Sequence, residues 1–146
     1  MAGELPLVSI VTPSLNQGRF IQETILSVKN QTYPNIEHII VDGGSTDGTL
    51  DIIKKYEGTY KMRWVSEPDS GRSDAINKGW RMAKGEILAY LNSDDTYMPW
   101  AVETAVELFS ENPDVAMVYG GCNDIDESSE LIGPRLVKEF DLVKML

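Results

Sequence analysis

The segment His38-Ile39-Ile40-Val41-Asp42-Gly43-Gly44-Ser45-Thr46-Asp47-Gly48-Thr49 decides how the rest of the chain is read. Its first four residues make a short apolar run rich in β-branched side chains, the pattern of a strand buried on both faces. The run stops at Asp42, and the Gly, Ser, Thr and Asp residues that follow build a turn that caps a helix. Leu50, Ile52, Ile53 and Tyr56 give that helix an apolar side. A buried strand, a polar turn and an amphipathic helix, in that order, form the repeating unit of a parallel α/β sheet.

The same unit recurs on either side. Toward the N-terminus, Leu7 to Val11 reads as a buried strand bounded by Pro6 and Pro13. Phe20, Ile21, Thr24, Ile25 and Val28 follow it at helical spacing, and that helix ends near Gln31. Toward the C-terminus, Met62 to Ser66 is a third strand, and a helix from Ser73 to Met82 buries Ala75, Ile76 and Met82. Glu86 to Leu91 is a fourth strand. Pro99 then sits where a first helical turn begins, ahead of Val102, Ala105, Val106 and Phe109. Val115 to Tyr119 is expected to be one more strand, the acidic stretch from Asp124 to Glu130 a solvated loop, and Phe140 to Leu146 a helix cut short. The 146 residues are read as one α/β domain, 1–146, incomplete at its C-terminus.

Composition narrows the function. The formal net charge of −10 argues against nucleic acid, which is gripped through clustered Lys and Arg. Hydrophobic residues at 42% and charged residues at 25% suit a folded globular chain. The single cysteine, Cys122, excludes an internal disulfide and fits a reducing compartment. Met1 to Pro6 carries no signal-peptide pattern, and no apolar run approaches the roughly 20 residues needed to cross a bilayer. The expected location is cytoplasmic.

In open parallel sheets, ligands bind beyond the carboxyl ends of the strands. Each of the first four predicted strands here runs into a polar cluster: Thr12-Pro13-Ser14-Leu15-Asn16, Asp42 to Thr49, Glu67 to Asp74, and Asn92-Ser93-Asp94-Asp95. The first three also read as ordinary turns and helix caps. The fourth is harder to explain structurally, because adjacent carboxylates after a buried strand repel one another unless a cation or donors compensate. Such hard oxygen ligands suit Mg2+ or Mn2+, with a diphosphate completing the shell. Neither GxGxxG nor a P-loop is present. His38, inside a strand, reads as structural or superficial rather than catalytic, and Trp64, Trp80 and Trp100 read as packing residues rather than sugar platforms, with Trp100 near enough to the acidic cluster to leave the second role open.

The ordered set from Val8 to Asn16, Gln31-Thr32-Tyr33, Val41 to Thr49, Gly71 through Asp74-Ala75-Ile76-Asn77-Lys78-Gly79, and Gly85-Glu86-Ile87 through Asp95 resembles family 2 glycosyltransferases. The likeness runs from about Leu7 to Tyr119. It implies a Rossmann-like GT-A fold, a nucleotide-diphosphate sugar donor, a divalent cation, Mg2+ or Mn2+, and inversion at the anomeric carbon. Carried over, Thr12, Pro13, Ser14 and Asn16 line the nucleotide pocket, and Asp42 with Gly43 faces the base or ribose. Arg72 and Asp74 sit near the donor. Asn92-Ser93-Asp94 takes the place of the family's DxD motif, with Asp94 holding the cation and Asp95 supporting it. This chain departs from the pattern twice: Gly43 stands where many relatives carry a second aspartate, and Asn92 replaces the first aspartate of the DxD.

The resemblance also implies that the general base and the acceptor-binding elements lie beyond Leu146. The leading expectation is therefore an enzyme, or its donor-binding portion, that transfers sugar to a glycan or lipid-linked acceptor in polysaccharide or cell-wall assembly. Contact with the inner face of the membrane stays open. Self-association is expected, because an incomplete domain exposes apolar surface. The alternatives are a non-catalytic nucleotide- and cation-binding fragment or a sugar nucleotidyltransferase. The latter is expected to carry a basic, glycine-rich loop after its first strand, and Thr12 to Gly18 has no basic residue.

Overall fold

Four parallel strands in the order β3-β2-β1-β4 form the sheet on which everything else is placed: β1 (Val8–Ser14), β2 (Ile36–Asp42), β3 (Met62–Ser66) and β4 (Ile87–Tyr90). The structure, a computed structural model, describes residues 5–135. These fall into two compact units that divide after Glu107.

The sheet belongs to the first unit, with helices α1 (Ile21–Lys29), α2 (Thr49–Tyr56) and α3 (Arg72–Met82) and the start of α4 (Ala101–Glu111). All seven residues of β1 are buried, as expected of a central parallel strand covered on both faces. Alternate residues serve opposite sides. Val8 and Ile10 pack with Val28, Tyr33, Val102 and Val106, whereas Val11 packs with Ile39, Val41 and Ala75 of α3. A third cluster joins Ile40 and Met62 to Ile21, Ile25 and Ile53. In α1 the buried positions are Ile21, Thr24, Ile25 and Val28, the spacing of one helical face.

Strand β1 extends three residues beyond the predicted stop, through Thr12-Pro13-Ser14. Its ladder with β4 ends at Val11, while the ladder with β2 continues to Ser14. Pro13, which has no N–H to donate, therefore lies where the strand has a neighbour on one side only. The other elements of this unit match expectation to within a few residues at each end.

Glu37, on β2, is 2% exposed and ties four segments together. It accepts hydrogen bonds from the Ser9 hydroxyl (2.6 Å), the Lys84 backbone N–H (2.6 Å) and Arg63 Nη2 (3.0 Å). Burial raises its pKa, but these donors outweigh burial and leave the carboxyl below the usual value.

In the second unit, Val115 to Tyr119 is not a strand. Its unbroken apolar run is real, but a strand also needs a ladder partner, and none pairs with it among the described residues. Val115, Met117 and Tyr119 are exposed. The stretch expected to be a plain loop contributes to an antiparallel hairpin, β5 (Cys122–Ile125) with β6 (Leu131–Arg135). Asp126 organises its turn, accepting from the backbone N–H groups of Ser128 and Glu130 through Oδ1, and Ser129 takes a left-handed φ of 63°. Leu131 and Ile132 are exposed, so the alternation that usually marks a hairpin was missing from the sequence. The helix expected over Phe140 to Leu146 lies outside the described residues.

Candidate functional site

A cavity of about 360 Å3 opens at the carboxyl end of the sheet. One wall comes from the end of β1 and its loop (Pro13, Ser14, Leu15, Gln17), and a second from the β3–α3 segment (Asp69, Gly71, Arg72, Ala75). Asn92, Ser93, Asp94 and Asp95, after β4, form the third. Seven of the twelve residues named from sequence thus meet in one place: Pro13, Ser14, Arg72, Asn92, Ser93, Asp94 and Asp95.

The loop after β4 is a built turn. Asp95 N–H donates to the Asn92 carbonyl at 3.1 Å, and Asn92 Nδ2 donates to Asp95 Oδ2 at 2.8 Å. The Thr24 hydroxyl of α1 donates to the Asp95 carbonyl at 2.8 Å, which fixes the turn to the body of the unit. The carboxylate repulsion anticipated from sequence is thereby relieved on one side only. Asp95 is committed to Asn92, whereas Asp94 is exposed and bonds to no described residue. Two buried polar atoms, Ser14 Oγ and Asn92 Oδ1, have no hydrogen-bond partner among the described residues, and both residues line the cavity. A buried polar atom left this way costs free energy until a ligand or water satisfies it.

The other five named residues have protein partners or sit elsewhere. Thr12 does not face the cavity. It is fully buried, with Oγ1 2.8 Å from His38 Nε2, and His38 Nδ1 lies 2.6 Å from the Tyr60 hydroxyl. His38 is therefore structural, and burial pushes its pKa down to about 3. Asp42 is also fully buried. It holds the turn after β2 by accepting from the N–H groups of Gly44 (3.0 Å) and Ser45 (2.9 Å) and from the hydroxyls of Ser45 and Ser66. Gly43 lies behind Asp69. Asp74 Oδ2 accepts the Ser70 N–H at 3.0 Å, shaping the loop that carries Asp69.

Asn16 belongs to a brace between the β1 loop and the β2 turn. Its N–H donates to Ser45 Oγ (2.7 Å), and its Oδ1 accepts from the Thr46 N–H (2.9 Å). Gln17 N–H donates to Thr49 Oγ1 (2.9 Å), and Gly18 N–H donates to Asp47 Oδ2 (3.0 Å). Asn16 needs its left-handed φ of 54° to make this turn, a conformation that Asn tolerates better than most residues. Leu15, Gln17, Asp69, Gly71 and Ala75 line the cavity without having been named from sequence. Asp69 and Gly71 lay within a strand-end cluster already singled out, so treating every polar residue after each strand as a candidate would have found them.

Trp64 packs as expected, but Trp80 and Trp100 do not, being 37% and 54% exposed. Trp80 Nε1 reaches the Ala89 carbonyl at 3.3 Å, and its ring stays at the surface.

The cation test gives a partial fit. No group of three or more His, Cys, Asp or Glu side chains suited to a metal occurs among the described residues. The cavity does offer Asp94 uncommitted, with Asp95 beside it, and both present hard oxygen atoms. That donor set suits Mg2+ or Mn2+ only as a shared site, with further oxygens supplied by ligand and water.

A parallel sheet whose strand-end loops enclose a polar cavity defines an α/β ligand-binding protein of the Rossmann-like kind. Comparison with known proteins narrows the class. The family model described as glycosyl transferase family 2 matches residues 9–137, and the chain belongs to that family. Chondroitin synthase of Pasteurella multocida (strain Pm70) is 36% identical over 129 residues, covering 88% of this chain and 13% of that protein. The putative teichuronic acid biosynthesis glycosyltransferase TuaG of Bacillus subtilis (strain 168) is 42% identical over 108 residues, or 73% of this chain and 43% of that one. Among solved structures, S. aureus TarS 1–349 in complex with UDP-GlcNAc superposes with a TM-score of 0.70 at 26% identity, covering 73% of this chain and 32% of that one. Mannosyltransferase PcManGT from Pyrobaculum calidifontis, in complex with GDP-Man and Mn2+, gives 0.69 at 26% identity, with 75% and 34% covered. The fold is GT-A. The chain spans less than half the length of each of these relatives. No helix among the described residues is long and apolar enough to cross a membrane.

Proposed function

We propose that this chain is the donor-binding portion of an inverting, cation-dependent glycosyltransferase. It would transfer a sugar from a nucleoside-diphosphate donor to a glycan or lipid-linked acceptor in polysaccharide or cell-wall assembly, at the cytoplasmic face of the membrane. The observation that carries this reading is the third wall of the cavity, where Asp94 is left uncommitted beside an Asn92 oxygen that no described residue bonds. Ser14, Asn92 and Ser93 hold the nucleoside diphosphate, with Arg72 at the rim as a cation for its phosphates. Asp94 holds the metal, and Asp95, through Asn92, keeps the turn in place. Thr12, Asn16, Asp42 and Asp74 serve the site by fixing its loops.

A bound Mg2+ or Mn2+ would supply Lewis-acid neutralisation of the charge that develops on the leaving diphosphate. The general base that takes the acceptor's proton is assigned to no residue of this chain. The family match runs across both compact units, which supports reading them as parts of one domain.

Calorimetric titration of UDP, dTDP and GDP, with and without Mn2+ and after chelation by EDTA, tests the site. Metal-dependent binding of at least one nucleotide, weakened at least tenfold in Asp94→Ala, is expected on the scale of about 1.5–3 kcal/mol for a charged contact. Metal-independent binding, or binding indifferent to Asp94→Ala, would remove the proposed cation role.

A further inference from the structure

The cavity wall between the β2 turn and the start of α3 holds a carboxylate that none of these roles uses. Asp69 is half-buried in the β3–α3 loop. Its Oδ1 accepts the Gly71 N–H at 2.8 Å, and Oδ2 receives no hydrogen bond from any described residue. The side chain lies directly against Gly43. A Cβ built at position 43 would stand 2.8 Å from Asp69 Oδ2 and 3.3 Å from Asp69 Cγ. Gly43 is not among the glycines with positive φ, so its backbone makes no demand for glycine. Its missing side chain serves the neighbour. Positions 43 and 69 share one volume, and only one of them can place a side chain there.

A carboxylate oxygen accepts hydrogen bonds and cannot donate them. It also repels a diphosphate, so the part of a donor suited to it is neutral and rich in N–H or O–H groups. Among the groups of this kind that a nucleoside supplies are the ribose hydroxyls and the ring N–H of uracil (an imide) or guanine (a lactam). We propose that Asp69, seated in the space that Gly43 leaves open, is the carboxylate by which this chain selects the nucleoside of its donor. It accepts a hydrogen bond from a ribose hydroxyl or from that ring N–H of the base. The assignment rests on the donor-site reading above.

Asp69→Asn is the sharpest perturbation, because its amide oxygen can still take the Gly71 N–H while the second atom changes from acceptor to donor. The titrants are UDP, 2′-deoxy-UDP and CDP, with GDP, 2′-deoxy-GDP and ADP in parallel, all with Mn2+. In the unmodified chain at least one nucleotide binds. Asp69→Asn weakens it about ten- to a hundredfold, the usual penalty for losing a hydrogen bond to a charged group. If the partner is a ribose hydroxyl, the variant also loses the preference for UDP over 2′-deoxy-UDP, or for GDP over its deoxy form. If it is the ring N–H, the variant loses the preference for UDP over CDP, or for GDP over ADP.

The exchange Asp69→Gly with Gly43→Asp recovers part of the affinity that Asp69→Gly alone forfeits, which a merely disordered loop would not do. Unchanged affinity and unchanged discrimination in Asp69→Asn overturns the assignment while leaving the donor site standing. Failure of the unmodified chain to bind any of the six overturns the donor-site reading and this inference with it.

Discussion

Replacing Gly79 by alanine sets two opposed effects against each other in α3. Alanine in a helix interior is favoured over glycine by about 1 kcal/mol. At this position, however, the helix lies flush on β1. The new Cβ would stand 2.3 Å from Val11 Cγ1 and 2.8 Å from Cγ2. Ordinary carbon contacts are about 3.5–4.0 Å, so helix or strand must yield by more than about 1 Å. Val11 cannot step aside. It is fully buried, with Ile39, Val41 and Ala75 packed round it, and its β-branched side chain has few rotamers to try. Overpacking of this kind costs about 1–3 kcal/mol, and an overlap this deep belongs at the upper end. The net expectation for Gly79→Ala is a loss of about 1–2 kcal/mol in urea unfolding. Nucleotide affinity should fall as well, because the first turn of α3 carries Arg72 and Ala75 on the cavity wall. Combining it with Val11→Ala removes the colliding methyls, so the double variant should be less destabilised than the sum of the singles by at least about 1 kcal/mol. A Gly79→Ala chain as stable as the parent, or an additive cycle, would refute the claim that close approach requires glycine there.

Three further outcomes follow from other parts of the molecule. Below pH 6.5 the unfolded chain protonates His38 while the folded chain, with its pKa near 3, does not. Stability is therefore fully present above 6.5 and falls by about 1.4 kcal/mol per pH unit as pH drops toward 3, a slope that His38→Gln should flatten between pH 6.5 and 5. Thr49→Val removes the acceptor for the Gln17 N–H and the donor to Asp47. It should cost about 1–3 kcal/mol and weaken nucleotide binding through the displaced wall, with Thr49→Ser retaining both properties, as read by denaturation and calorimetry. Leu88 and Tyr90 are about half exposed on β4, which has no second ladder partner among the described residues. Sedimentation should show self-association at high concentration, reduced by Leu88→Lys, and a clean monomer would count against it.

The sheet was legible because parallel strands buried on both faces leave short, nearly continuous apolar runs, and Leu7 to Val11 or His38 to Val41 admit few other readings. The cavity was legible in outline for a related reason: polar residues placed straight after such runs have only the carboxyl edge of the sheet to occupy. Which of them face a ligand was not. Thr12 and Ser14 look equivalent on paper, and only the position of His38, 26 residues away, shows that Thr12 is already engaged. The vacancy over Gly43 was equally invisible, since it exists only because another segment folds back across it. Val115 to Tyr119 failed for the converse reason. Its pattern states where side chains prefer to be, but says nothing about which backbone would pair with it.

The brace between the β1 loop and the β2 turn has a consequence for redesign. The path of the loop is written by Asn16, Ser45, Asp47 and Thr49 through bonds to backbone atoms, whereas Leu15 and Gln17 line the cavity and lend the brace no side chain. Recognition and scaffolding are thus separated residue by residue along one short segment. A library randomised at 15 and 17 should keep its fold and vary in the ligands it accepts, while equal diversity at 16 and 47 should mostly yield loops that no longer close.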